Sequence, residues 1–331
     1  MRCSGERRMN GMAKAAERVE RVMVVARKDW RDSVNGKFLV FQFSDKDGPL
    51  KGVLWQPTEE IDREISVNDV VRIKGEMKSY QGAYELHVAN IVKLNEREYD
   101  ITQFVPVAPE ETGDLYDGII AVVSGIQNEY LRKLLESVFV DEEFKERFLR
   151  SPAARVWHHS YIGGLAQHVR DMASLAMRAA DIYPEVDRDL LLSGVLFHDL
   201  GKVYELEVTN RIDYTDSGRL IGHIVLGVEL LEERIRGIEG FPADLALRLK
   251  HMILSHHGAL EHGSPVVPMT IEAILLHYID NLDAQTRGAL QVLGKETGRS
   301  GRWTEYVKLL DRFIYRGEEP RGEEPPKGTN A

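Results

Sequence analysis

The chain has 331 residues, 43% hydrophobic and 29% charged, the composition of an ordinary soluble protein with room for about two domains of roughly 150 residues each. Its one cysteine, Cys3, excludes a disulfide framework or a thiolate metal site within one chain. The net charge of −10 argues against a generic basic nucleic-acid binder. With no signal peptide and no apolar run of about 18 residues, the reading is a cytoplasmic protein with no membrane partner.

The charge is uneven. Residues 1–100 carry 18 Lys+Arg against 17 Asp+Glu, so the remaining 231 residues hold a net −11. Residues 1–14 are polar and are expected to be disordered. From 15 to 103 the pattern is β. Runs at 22–26, 38–43, 50–55, 69–77 and 84–92 read as strands, with Asp45-Lys46-Asp47-Gly48 and Gln81-Gly82 as turns and a short helix at 59–64. Five short strands with a helix between the third and fourth is the order of an OB-fold barrel. Residues 104–113, with Pro106 and Pro109, read as a linker.

Beyond the linker, from 114 to 316, everything reads as helix: 115–127, 130–138, 141–150, 164–180, 188–199, 221–235, 242–256, 270–284 and 303–315. The tail from 317 to 331, rich in Pro and Gly, is expected to be disordered. The fold class is therefore multi-domain, an all-β OB barrel followed by an all-α domain.

The helical half holds most of the eleven histidines in a pattern. The run Leu196-Phe197-His198-Asp199-Leu200-Gly201-Lys202 puts an adjacent His-Asp pair at the end of an apolar helix, where an unpaired carboxylate is costly. His168 lies inside a helix, His223 starts another, His256-His257 ends the next, and Asp280 interrupts an otherwise apolar one. A single such histidine is more often a satisfied core residue. Five helices each delivering His or Asp inward call for a metal, and this donor set suits Mn²⁺, Fe²⁺, Zn²⁺ or Ni²⁺.

The order H…HD…H…HH…D, with Gly201-Lys202 closing HDxGK, resembles the HD-domain metal-dependent phosphohydrolases, and with His223 and the His256-His257 pair, their two-metal members. More narrowly the chain resembles the YhaM-like 3′→5′ exoribonucleases, which join an N-terminal OB-fold to an HD domain. The stretches that carry this are His158-His159-Ser160-Tyr161-Ile162-Gly163-Gly164-Leu165, Leu254-Ser255-His256-His257-Gly258, and Glu272-Ala273 with Asp280-Asn281-Leu282-Asp283-Ala284.

The resemblance implies one metal held by His168, His198, Asp199 and Asp280, and a second held by Asp199 as a bridge with His223, His256 and His257. Mn²⁺ is the first expectation, with Fe²⁺, Ni²⁺, Co²⁺ or Zn²⁺ as alternatives. Two cations about 3.5–4 Å apart can clamp both sides of an in-line phosphoryl displacement. Lys202 is expected to reach a phosphate oxygen or else to be a solvated helix end. His158, His159 and Arg155 are read as substrate contacts or as helix caps. Asp283, three residues after Asp280 on the same helix face, is expected behind a ligand rather than as one.

In the barrel, Trp30, Phe38, Phe41, Phe43, Trp55, Tyr80 and Tyr84 are candidates for base stacking. Phe38, Tyr80 and Tyr84 are expected to be exposed, with Lys37, Lys51, Lys74 and Lys78 supplying charge.

The function this implies is hydrolysis of single-stranded RNA, and of DNA if it is accepted, from the 3′ end to nucleoside monophosphates; a homo-oligomer is left open. One alternative is an HD phosphohydrolase acting on nucleotides or cyclic dinucleotides. The barrel and the Ala259-Leu260-Glu261 sequence after the HH pair weigh against it. The other is a non-catalytic single-strand-binding factor, against which the complete ligand set weighs.

Overall fold

A computed structural model describes residues 18–34, 36–45, 48–80, 83–295 and 301–317. The two ends expected to be disordered fall almost entirely outside these residues. The chain forms two compact units, Met1–Val105 and Pro106–Ala331. No helix among the described residues is long and apolar enough to cross a membrane.

The first unit is built from β1 (Arg18–Ser33), β2 (Gly36–Asp45), β3 (Gly48–Trp55), α1 (Glu59–Glu64), β4 (Val70–Tyr80) and β5 (Ala83–Lys93). The strands close into a barrel in the order β1-β2-β3-β5-β4, antiparallel except for the β3–β5 pair. Closure removes the unpaired sheet edges that invite aggregation. The two-residue period places Leu39, Phe41 and Phe43 of β2 inward, where they meet Met23, Val25, Ile73 and Leu86, all fully buried. Burying side chains of this size is worth roughly 1.5–3 kcal/mol each. Thr58 caps α1 by accepting from the Ile61 amide. The barrel with its single helix is the OB-fold that the strand order predicts.

The second unit holds α2 (Thr112–Gly125), α3 (Glu129–Phe139), α4 (Glu142–Arg150), α5 (Gly164–Ile182), α6 (Arg188–Phe197) and α7 (Lys202–Glu205). A two-stranded hairpin follows, β6 (Leu206–Val208) and β7 (Ile212–Tyr214). Then come α8 (Asp216–Leu220), α9 (His223–Arg236), α10 (Ala243–Ser255) and α11 (Ile271–Lys295). Asn128, Asp141 and Asp187 cap α3, α4 and α6 through their side chains. Helix α6 is buried at every position from Leu190 to Phe197, so an all-round apolar sequence lies at the centre of the bundle.

The unit is helical as expected, with one short hairpin, β6–β7, between α7 and α8; three-residue strands are too short for a period to show. One expectation needs correction. Residues 303–315 are not a helix. They fold back on themselves through the bridges Trp303↔Tyr315 and Val307↔Arg312. Asp311, at φ 53°, makes the turn, and a helical reading of its apolar spacing missed that local break.

Candidate metal centre and barrel face

Helix ends deliver most of the metal-type side chains. His198 is the C-cap of α6 and His256 the C-cap of α10. Each uses Nδ1 on the carbonyl three residues back, Val195 O at 2.8 Å and Ile253 O at 2.7 Å. A helix end leaves such carbonyls without partners, so capping and ring orientation are one event. His223 opens α9, and its Nδ1 is held by Glu205 Oε1 at 3.0 Å. His257 Nδ1 contacts the His262 carbonyl at 3.0 Å. His168, in the second turn of α5, places Nδ1 on Asp283 Oδ2 at 2.7 Å.

Every one of these rings is therefore fixed through Nδ1, leaving Nε2 to point elsewhere. Four of those atoms, the Nε2 of His168, His198, His223 and His256, are buried with no hydrogen-bond partner among the described residues, as is Asp199 Oδ1. Orphaned buried polar atoms are rare and need a reason.

They converge on Asp199. Its Oδ2 lies 3.6 Å from His168 Nε2 and 3.5 Å from His198 Nε2; its Oδ1 lies 3.6 Å from His223 Nε2 and 3.5 Å from His256 Nε2. Asp280 Oδ1 is 3.4 Å from His168 Nε2. These separations are long for hydrogen bonds. They suit atoms that share an ion at about 2.0–2.2 Å each. His168, His198 and Asp280 can hold one ion together, and His223, His256 and His257 another. The two oxygens of Asp199 face the two sets.

The electrostatics point the same way. Burial disfavours a charged His168, yet Asp280 and Asp283 draw its pKa up to about 9. A proton is favoured there because the pocket carries negative charge that a cation would neutralise. Burial raises Asp199, but Lys202, then His198 and His256, hold it well below the usual carboxylate range. Burial, aided by His256 and His223, pulls His257 down to about 4, so its ring is neutral and able to ligate at pH 7.

Gly201 allows this convergence. A Cβ there would sit 2.0 Å from the His223 carbonyl oxygen and 2.7 Å from the Gly227 nitrogen. Only glycine lets the chain after Asp199 press against the start of α9.

Other expected residues fall less simply. Asp283 stands behind His168, accepting from both His168 and His159. His159 is 2% exposed, and both ring nitrogens are engaged, by Asp283 at 2.8 Å and Tyr161 Oη at 2.6 Å. It supports His168 and has no ring atom left for a phosphate, which goes against the substrate-contact reading of the two that the sequence left open. Lys202 is not a solvated helix end: it is buried, and its ammonium donates to Asp199 Oδ2 at 2.6 Å.

His158 faces the site, its ring 5.4 Å from that of His168 and its buried Nδ1 without a partner among the described residues. Burial, with His168 and Lys202, lowers its pKa to about 3. Glu205 was not legible in the sequence. Nothing in the motif marks it, and only the fold brings it under His223.

On the barrel, Phe38 and Trp55 are cross-strand partners whose rings stack at 4.5 Å, with His87 6.3 Å from Trp55. Trp55 is 46% exposed, Trp30 44% and Tyr84 69%. Phe38, one of the three rings expected to be exposed, is half-buried beneath Trp55. Phe41 and Phe43 are in the core. Lys37 and Lys78 are exposed, and the side chain of Tyr80 lies outside the described residues. Lys51 pairs with Glu85 at 2.8 Å and Lys74 with Glu20 at 3.0 Å, so this face is less basic than its lysines suggest.

With this geometry in view, residues 165–285 match the family model of the HD domain and residues 21–94 that of the OB-fold nucleic acid binding domain. The chain is thus an OB-fold barrel followed by a helical HD domain, and the HD domain indicates a metal-dependent phosphohydrolase in general.

Among solved structures, a replication protein A heterotrimer bound to ssDNA is similar at 20% identity and TM-score 0.21. The match covers 26% of this chain and 64% of that one. Asparaginyl-tRNA synthetase from Pyrococcus horikoshii, complexed with asparaginyl-adenylate, is similar at 13% identity and TM-score 0.20, over 43% of this chain and 35% of that one. This chain therefore spans less than two thirds of either, and likeness at this level carries no argument about function.

Metal binding has a readout independent of catalysis. Chelated protein titrated with Mn²⁺ is expected to take up two equivalents, and His257→Ala one. A ligand at 100 times its Kd stabilises the fold by about 2.7 kcal/mol, so the unfolding temperature should climb with added ion. A wild-type stoichiometry of one, or no thermal shift, contradicts the two-ion arrangement.

Proposed function

We propose that the chain is a YhaM-like 3′→5′ exoribonuclease that hydrolyses phosphodiester bonds of single-stranded RNA to nucleoside monophosphates at a two-ion HD site. The observation that carries this reading is the split of Asp199, with one oxygen facing His168 and His198 and the other facing His223 and His256. Bound divalent ions would polarise the scissile phosphate and lower the pKa of water to near neutrality.

The chain's own residues do the rest. Asp199 fixes the separation of the two ligand sets. Asp283, backed by His159, holds the His168 ring with Nε2 directed at the site, and Glu205 does the same for His223. Such supports are typically worth 10–100-fold in metal affinity or activity. His158, neutral and with a free buried nitrogen, is placed to meet an oxygen of the substrate. In the barrel, Trp55 over Phe38 gives a flat surface for a base, and stacking tolerates any sequence.

The test is degradation of 5′-labelled RNA with Mn²⁺ or with chelator. A ladder shortening from the 3′ end, dependent on the ion, is expected. Release of dinucleotides from cyclic dinucleotides with intact RNA would favour the small-substrate alternative. Binding without any cleavage, at saturating ion, would favour a non-catalytic factor.

A further inference from the structure

The hairpin β6–β7 carries a cluster that the metal centre does not use. Asp213 accepts from Arg211 Nη2 at 2.6 Å and Arg219 Nη2 at 2.9 Å, and Arg155 Nη1 lies 3.8 Å away. The next residue, Tyr214, is 37% exposed, and the guanidiniums of Arg155 and Arg219 lie 5.7 and 5.6 Å from its ring centre. The three arginines come from three separate places: the loop before α5, the hairpin, and α8. Glu207 is the cross-strand partner of Asp213. Counting it, the patch carries a net charge of +1 within the 231 residues that carry −11.

The patch is tied to the metal centre from two sides. Arg155 is three residues before His158, so the two backbones are within about 10 Å of each other, and the His158 ring is 5.4 Å from that of His168. On the other side, Gly218 of α8 lies against Glu205 so closely that a Cβ would be 2.1 Å from the Glu205 carbonyl oxygen. Glu205 in turn holds His223. Arg155 is therefore close along the chain to a residue that faces the metal centre, and Arg219 sits on the helix packed against the residue that holds His223.

Accordingly, we propose that Arg155, Arg211, Arg219 and Tyr214 form a single-strand nucleic-acid subsite at the rim of the HD site. In it the guanidiniums contact backbone phosphates and the Tyr214 ring stacks on a base. The inference rests on the phosphodiesterase reading of that site and adds to it. A guanidinium offers five donors in a fixed plane suited to phosphate. One shared carboxylate holds Arg155 and Arg219 in place without using all of theirs. The arrangement orders the side chains before the strand arrives, which lowers the entropy lost on binding. The guanidiniums of Arg155 and Arg219 lie over the Tyr214 ring, and one of them turns to a phosphate as the base takes its place on the ring.

The test uses the full chain with a labelled oligoribonucleotide. Binding is measured by anisotropy with ions chelated, and hydrolysis with Mn²⁺. Arg211→Gln with Arg219→Gln is expected to weaken binding about tenfold. It should also flatten the plot of log affinity against log salt by about 0.7 for each phosphate that is no longer neutralised. Tyr214→Ala should weaken binding about tenfold, Tyr214→Phe should restore it, and a strand abasic throughout should be insensitive to either change. In hydrolysis, the ratio of kcat/KM on the oligonucleotide to that on bis(p-nitrophenyl) phosphate should fall by a similar factor. Repeating the binding in a Trp55→Ala background removes masking by the barrel.

Unchanged affinity and salt slope in that background overturn the subsite. If the wild type cuts RNA while these variants bind and cut as it does, the exoribonuclease reading survives and this inference fails. If nothing is cut but the variants bind less tightly, the inference stands and the exoribonuclease reading fails.

Discussion

Replacing Asp199 by alanine is expected to lower turnover of RNA by on the order of 10³-fold or more while leaving binding of the strand in chelator nearly intact. Among the described residues Asp199 is the one side chain whose two oxygens face both histidine sets, so its removal weakens both ion positions together. Charge stabilisation by bound ions is worth several kcal/mol in a displacement at phosphorus, and about 1.4 kcal/mol corresponds to tenfold. The loss of Asp199 also leaves the buried Lys202 ammonium without the carboxylate it donates to at 2.6 Å. A fall in thermal stability of the ion-free protein should accompany the kinetic loss, because an uncompensated buried charge is destabilising. Asp199→Asn keeps the shape but removes the charge, and should lose ion binding with a smaller loss of fold stability. Activity within tenfold of wild type, in buffer saturated with Mn²⁺, would contradict the role given to this residue.

Trp55→Ala is expected to weaken single-strand binding by about 1–3 kcal/mol, which is roughly 5- to 150-fold. The ring is stacked on Phe38 at 4.5 Å and is about half exposed, so its loss uncovers a smaller platform without opening the core. Phe38→Ala in the same chain should add less than its own separate effect, because the two rings form one surface. The salt dependence should change little, since no cationic group is removed. Tyr84→Ala should have a smaller effect, because among the described residues no ring stacks beneath Tyr84 in the way Phe38 supports Trp55. The measurement is a fluorescence titration with labelled RNA in chelator. Unaltered affinity in the Trp55→Ala, Phe38→Ala double variant would move strand binding off this face of the barrel.

The legibility of each domain has a physical cause. The barrel was readable because period-two alternation and turn residues leave a mark in the sequence, as in Leu39, Phe41 and Phe43 followed by Asp45 to Gly48. The same alternation could not say which aromatics stay outside. Trp55 ends β3 after three consecutive buried residues, Gly52 to Leu54, so the period breaks where the barrel closes. Residues 303–315 misled for a related reason: apolar spacing over so short a stretch does not separate a helix from a chain that turns back at Asp311.

By itself the sequence determined two things about this protein: a five-strand barrel followed by helices, and a set of His and Asp residues within helices and at their ends in an order that implies metal. Helix ends leave carbonyls unsatisfied, and a histidine at such an end satisfies one while directing its other nitrogen outward; that is local chemistry, and it can be read from the chain. Only the tertiary structure decided how those groups share the site. The His159–Asp283 contact, the Glu205 carboxylate under His223 and the approach of Arg155 to Asp213 join residues from 18 to 124 positions apart. Such pairings depend on which helices pack together. They leave no period and no spacing in the sequence, so nothing short of the packed fold specifies them.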